Sequence, residues 1–188
     1  MKTRLIVIDT ETGGLDPRRH ALLTIAAFDS QTGDSWEARI KPAPGLEIDQ
    51  DALAVNGLDV ADLARSGREE RDAMMDLWCW ARLRKDGILA GCSPEFDAGF
   101  LKAACDRAKV SWPFTHRTLD LRAAAWCAYE AGILPLPLSK AGRPRFDLDA
   151  ILGALGLSRA ADKHDATEDA ELTLAAFEGI THLLGGNK

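Results

Sequence analysis

An apolar run with strong strand preference, Leu5-Ile6-Val7-Ile8, leads straight into Asp9-Thr10-Glu11-Thr12 and then a glycine pair, Gly13-Gly14. The run suits a strand buried on both faces and is too short for a typical helix. Alternate side chains of a strand share a face, so Asp9 and Glu11 point the same way at the mouth of a central strand. Carboxylates placed together repel, and burying them unpaired is costly. A shared proton or a bound cation relieves them, and an oxygen-only donor set suits Mg²⁺ or Mn²⁺.

Downstream, Leu22 to Phe28 and Trp36 to Lys41 read as two more strands joined by a turn over Asp29 to Asp34, an antiparallel start. Short helical turns are expected near 51–55 and 59–65. A longer helix over about 69–84 carries Met74, Leu77, Trp78 and Ala81 on one face. Ile88-Leu89-Ala90 reads as a short buried strand. After it, Ser93 is expected to cap a helix that opens on Pro94, runs to about Lys109 and buries Phe96, Phe100 and Ala104. Asp97 falls in its first turn, where an acid is favoured by the helix dipole. Thr118-Leu119 and a helix over 120–130 follow. The proline-rich stretch 132–146, with Lys140, Arg143 and Arg145 and no acid, is either a solvated linker or a grip on substrate. Asp147 caps a short helix closed by Gly156, and a last helix spans about 166–184.

Composition narrows the function classes. The chain has 188 residues, a size suited to one domain with a real core. It holds no apolar run long enough for a membrane span. The apolar run after Lys2 and Arg4 stops at Asp9, too short for a signal peptide, so a cytoplasmic protein is expected. The four cysteines (Cys79, Cys92, Cys105, Cys127) are too scattered for zinc or a disulfide framework and are expected to be reduced and mostly buried. A net charge of −6 argues against a broad basic face. It does not exclude a nucleic-acid substrate, because cations bound by clustered acids reverse the local field.

The last helix supplies the second half of the geometry. Asp165 followed by Glu168 resembles a capping box, which sets Asp165 as N-cap. His164 and Asp169 then take the N′ and N4 positions, which touch in a hydrophobic staple. Placing an imidazole and a carboxylate there has a local cost. If the two helix starts lie near the end of the first strand, Asp9, Glu11, Asp97 and Asp169 converge with His164 alongside. Two cations about 4 Å apart would clamp a phosphodiester displacement. An unperturbed imidazole titrates near neutrality, which suits His164 to the role of base.

With these residues in place, the chain resembles the DEDDh group of 3′–5′ exonucleases, which contains proofreading exonuclease subunits, ribonuclease T and oligoribonuclease. Asp9-Thr10-Glu11-Thr12-Gly13-Gly14-Leu15 is similar to the group's first motif, Phe96-Asp97 with Phe100-Leu101 to the second, and His164 through Ala170 to the third. Val55-Asn56-Gly57-Leu58 and Phe146 to Ala150 are smaller echoes. The resemblance implies a ribonuclease H-like α/β fold, a mixed five-stranded sheet with helices on both sides, as one exonuclease domain over 1–188. It implies Asp9, Glu11, Asp97 and Asp169 as ligands of two Mg²⁺ or Mn²⁺ ions and His164 as general base. It also implies main-chain contacts at Thr10 and Thr12, Leu15 as a wedge against the last bases, and Phe96 at the substrate. The implied substrate is a single-stranded DNA or RNA 3′ end; a homodimer and a polymerase partner stay open. The competing reading is a catalytically silent nucleic-acid-binding or polymerase-docking module on the same fold. A ribonuclease H-type endonuclease acting on duplexes is a third. The chain departs from the group at Cys92-Ser93, where His-Asn is usual. It departs again at Gly13, which replaces a common Thr and is expected to loosen the turn. Arg18, Arg19 and His20 read as an exposed charged turn.

Overall fold

A computed structural model describes residues 3–160 and 164–185; Lys2 lies outside them. The sheet forms from β1 (Leu5–Thr12), β2 (Leu22–Asp29), β3 (Ser35–Arg39), β4 (Ile88–Gly91) and β5 (Thr118–Asp120). Its order is β3-β2-β1-β4-β5. β1 pairs antiparallel with β2 and parallel with β4, and β5 extends the parallel half. The expected mixed five-stranded sheet is therefore present, with β1 at its centre.

The alternation along β1 explains the two layers of helices. Leu5 and Val7 join one core with α5 (Leu121–Glu130), α6 (Leu148–Ala154) and α7 (Ala166–Gly185), through Ala125, Ile151 and Phe177. Ile8, one residue out of phase, joins the other core with α3 (Glu70–Arg82) and α4 (Pro94–Ala108), through Met74, Leu77 and Phe100. Fully burying a side chain such as Phe100 contributes roughly 1.5–3 kcal/mol. A third, smaller cluster of Ala21, Leu23 and Leu63 lies with Leu46, Ile48, Leu53 and Leu58. The last two stand on or beside α1 (Gln50–Asn56) and α2 (Val60–Ser66).

The register of β1 decides where a site can form. Its pairing with β4 stops at Val7↔Ala90, while its pairing with β2 continues to Thr12↔Leu22. From Ile8 onward one edge of the strand has no strand partner, and Asp9 and Glu11 lie on that stretch. β1 also reaches further than expected, carrying both acids inside the strand.

Several expectations are corrected. Ser93 precedes α4 in a left-handed conformation (φ 73°) and makes no capping bond; its hydroxyl accepts from Arg122 Nη1 at 2.7 Å. Phe96 is 37% exposed, although Phe100 beneath it, ring centroids 5.1 Å apart, is fully buried. The first turn of α4 carries Phe96 past the core. Cys79 and Cys127 are exposed, so the thiols are not mostly buried; all four are free. Glu168 does not close the capping box, because its carboxylate accepts from the Ala160 amide at 2.5 Å instead. Among the described residues no helix is long and apolar enough to cross a membrane.

Candidate active site

β1 delivers Asp9 and Glu11 on the face that packs toward α7, and Thr10 on the face that packs toward α4. The Thr10 hydroxyl donates to Asp97 Oδ1 at 2.7 Å. This bond ties the strand to the first turn of α4, which the short Gly91-Cys92-Ser93 connection brings to the end of β4. Gly91 fits a tight approach there, since a Cβ would stand 3.0 Å from the Ile8 carbonyl.

The start of α7 behaves as the N-cap spacing predicts. Asp165 Oδ1 accepts from the amides of Thr167 and Glu168, each at 3.1 Å. His164 Nδ1 then lies 3.2 Å from Asp169 Oδ2. The His164 amide donates to the Val55 carbonyl at the end of α1, at 3.4 Å. Lys163, next to it, lies outside the described residues.

One cavity of about 490 Å³ is lined by Asp9, Glu11, Asp97, Asp169 and His164 together with Thr10, Thr12, Leu15 and Phe96. Every site residue expected from the motifs borders it. Glu11, His164 and Asp169 approach most closely, with one ligand atom from each falling within 4.8 Å of the others. Asp97 and Asp169 are 4% and 2% exposed. Leu15 is 82% exposed at the rim, which suits a side chain meant to meet something outside the chain.

Electrostatically the acids are in mutual opposition. Burial, then Asp97, Asp169 and Glu11, hold the Asp9 carboxyl well above the usual range, against a pull from Arg159. Burial and the neighbouring Asp169, Asp165 and Asp97 push Glu11 up to about 8. Burial raises Asp97 to about 7, with the Thr10 hydrogen bond restraining the rise. Such perturbed carboxylates in a cleft mark a functional site.

The structure adds residues that the motifs did not single out. Arg159 grips Asp169 at both oxygens, Nε to Oδ1 at 2.6 Å and Nη2 to Oδ2 at 2.9 Å. A second cavity of about 280 Å³ shares Asp9, Cys92, His164 and Asp169 with the first and adds Arg122 and Arg159. Burial pushes the Cys92 thiol up to about 12, so it is an inert wall of the site. Asn56, within one of the smaller echoes, is buried and donates from Nδ2 to the Thr12 carbonyl at 3.3 Å.

Two further expectations change here. Gly13 does not loosen the turn: its amide and carbonyl bond Ala21 and Asp49, each at 2.7 Å, and a Cβ would stand 2.8 Å from the Glu47 carbonyl. Its lack of a side chain lets the 46–49 segment close on the motif. His20 is not exposed but 6% exposed beneath Gly14, with Nε2 3.2 Å from Asp49 Oδ2. The 132–146 stretch, read as either a solvated linker or a grip on substrate, borders neither of the two cavities that Asp9 and Asp169 line; Leu134 and Leu136 are buried in the core, and Arg145 pairs with Asp147.

An antiparallel-then-parallel five-stranded sheet with acids gathered at the end of its central strand is a ribonuclease H-like fold. The model of the exonuclease family matches residues 6–177, and the chain belongs to that family. It is 30% identical over 195 residues to ribonuclease T of Marinobacter nauticus, covering 94% of this chain and 81% of that protein. It is 34% identical over 124 residues to ribonuclease T of Wigglesworthia glossinidia brevipalpis, covering 58% of each. E. coli Exonuclease I in complex with a dT13 oligonucleotide superposes with a TM-score of 0.83 at 20% identity, over 96% of this chain. The chain spans 41% of that protein's length.

The family implies a divalent cation, and the donor set fits one. Carboxylate oxygens dominate it, their mutual repulsion calls for positive charge, and Glu11, His164 and Asp169 each place one ligand atom within 4.8 Å of the others.

Proposed function

We propose that the chain is a metal-dependent 3′–5′ exonuclease that hydrolyses the terminal phosphodiester of single-stranded DNA or RNA and releases nucleoside 5′-monophosphates. The observation that carries this reading is the meeting of Asp9, Glu11, Asp97 and Asp169 with His164 along a cavity whose other wall presents Leu15, Val55 and Phe96. About 490 Å³ is room for a nucleotide. The apolar wall holds a base by stacking and wedging, which any base can satisfy. Asp9, Glu11, Asp97 and Asp169 would hold two Mg²⁺ or Mn²⁺ ions, which supply charge neutralisation at the phosphoryl group.

His164 is the base that takes the proton of the attacking water. With Nδ1–H directed at Asp169 Oδ2, 3.2 Å away, the other ring nitrogen is the acceptor. The side chain is 41% exposed, so the proton passes on to solvent. The Thr10 hydroxyl orients Asp97, and Asn56 fixes the Thr12 carbonyl at the cavity wall. The ribonuclease T relatives and the oligonucleotide held by Exonuclease I support this substrate class.

The test is to incubate end-labelled single-stranded DNA and RNA of equal sequence with Mn²⁺, with and without EDTA. A ladder shortening from the 3′ end, abolished by EDTA, is the expected result. Internal fragments, or intact substrate with Mn²⁺ present, would overturn it.

A further inference from the structure

Arg159 is joined to the acid cluster and to α6 at once. Its Nε and Nη2 take both oxygens of Asp169, at 2.6 and 2.9 Å, while Nη1 bonds Asp149. A fork matched to a carboxylate on both oxygens is the strongest geometry an ion pair offers. The Arg159 side chain is 9% exposed, so solvent screens the pair little. Asp169 Oδ2 also faces His164 Nδ1. The carboxylate proposed as a metal ligand therefore has three of its roughly four acceptor sites taken. A divalent ion bound at Asp169 competes with the fork for these oxygens, and the two cations repel one another at close range.

The surroundings give the displaced guanidinium somewhere to go. Asp149 is 60% exposed at its side chain and already holds one arm, so Arg159 keeps an anionic partner when it leaves Asp169. The segment beside it is fastened to α7 separately, through the Ala160 amide and Glu168. That segment leads to His164. Arg159 thus stands where it both neutralises the cluster and steadies the start of α7.

Resting on the site assignment proposed above, we infer that Arg159 is a resident counter-cation that competes with the divalent ion for Asp169. It is a positioning residue that sets metal affinity. It stabilises the protein while no metal is bound and yields part of its grip when metal arrives. Such a device keeps a cluster of repelling acids folded at low metal concentration, at the cost of weaker metal binding.

The test compares the full-length wild type with Arg159→Met, which keeps side-chain length and removes the charge, and with Arg159→Lys, which keeps the charge and removes the fork. Titration calorimetry with Mn²⁺ alone gives the affinities, and thermal melting in EDTA gives the metal-free stability. Arg159→Met is expected to bind Mn²⁺ about tenfold more tightly, the worth of one charge-assisted bond no longer surrendered. It is also expected to melt lower than wild type in EDTA, so that the rise in melting temperature on adding Mn²⁺ widens. Arg159→Lys is expected between the two on both measures. Equal or weaker Mn²⁺ binding by Arg159→Met overturns the competition and leaves Arg159 a structural clasp. If Arg159→Met does not fold, Arg159→Lys decides by the same comparison, tighter binding than wild type supporting the proposal and equal or weaker binding overturning it. A wild type that binds no Mn²⁺ removes the metal-site reading itself and this proposal with it. Wild-type binding with an unchanged variant removes the proposal alone.

Discussion

Two regions of this protein bury aspartate, and they do so in opposite ways. Asp29 is 0% exposed, and its carboxylate accepts from Arg4, Arg84, the Gln31 amide and the Thr32 hydroxyl. Burial pushes its carboxyl upward, but the Gln31 and Thr32 bonds and the two arginines outweigh that push and hold it below the ordinary range. Asp9 and Glu11 are raised by burial and by the acids around them, and Asp97 by burial against the donors at Thr10, so all three sit above the ordinary range. The first arrangement is complete as it stands: every lone pair has a donor, and the chain gains a fastening between β2, β1 and the end of α3. The second is incomplete by the same accounting, and supplies excess negative charge at a point where a cation can use it. A buried acid with a donor for every lone pair serves stability; a group of acids left short of donors marks a candidate functional site.

Substitution to asparagine breaks the comparison most strongly. Asp9→Asn is expected to lower turnover by roughly 10³-fold or more, as removal of a group stabilising transition-state charge does. In EDTA the same variant is expected to melt higher than wild type, by about 2–4 °C for each kcal/mol of repulsion relieved. Asp29→Asn is expected to do the reverse. It leaves turnover per folded molecule unchanged and costs about 3 kcal/mol of stability, because Arg84 loses its buried partner. Exonuclease rates and thermal melts on the two proteins check all four outcomes. His164→Ala belongs with Asp9→Asn in rate, and wild-type turnover in it would refute its role as base.

The pH dependence is the next largest effect. Glu11 near 8 and Asp97 near 7 bind protons in the folded chain at a pH where the unfolded chain has released them. The folded state then holds more protons than the unfolded one, so stability falls as pH rises through that interval. In EDTA the melting temperature is expected to decline between about pH 6 and 8.5. Saturating Mn²⁺ is expected to cancel the decline, since metal binds the ionised acids and stabilises by mass action. Asp29, with its lowered value, contributes stability that is present above its ordinary 3.8 and is lost only as pH falls through its folded value. Asp29→Asn should therefore leave the alkaline decline untouched. A flat melting profile in EDTA over pH 6–8.5 would remove the contrast between the regions.

Much of this contrast was legible in the chain itself. The alternation of β1 puts Asp9 and Glu11 on one face, and the cap at Asp165 puts His164 beside Asp169; both follow from backbone periods alone. Arg159 was not legible. No motif singles it out, and its partners Asp149 and Asp169 each stand ten residues away in the chain. His20 was misread because the glycine that makes room for its ring, Gly14, sits six residues earlier; a Cβ there would stand 2.4 Å from the imidazole. Ser93 and Phe96 were misread for a shared reason. Ser-Pro before an apolar face predicts a capped, buried helix start, whereas Ser93, Phe96 and Asp97 at the start of α4 line the cavity. Local rules predict elements and their caps well; they do not say which end of an element projects beyond the core.

The smallest expected effect compares the same hydroxyl in both regions. Thr10 donates to Asp97 at 2.7 Å, and Thr32 donates to Asp29 at 3.0 Å. Thr32→Val removes one donor among several, so it should cost no more than about 1 kcal/mol and leave the rate unaltered. Thr10→Val removes the side-chain hydroxyl that restrains the rise of Asp97 above the carboxylate range. Asp97 should then ionise at a higher pH, and the acid limb of the rate profile should move upward while the rate well above that limb changes only severalfold. A pH–rate profile at one fixed, subsaturating Mn²⁺ concentration separates the two variants, because the ionisation of Asp97 then still shapes the acid limb. If Thr10→Val and Thr32→Val gave the same unshifted profile, the hydroxyl at the acid cluster would be as dispensable as the one at Asp29, and the sparse solvation of Asp97 would not govern its ionisation.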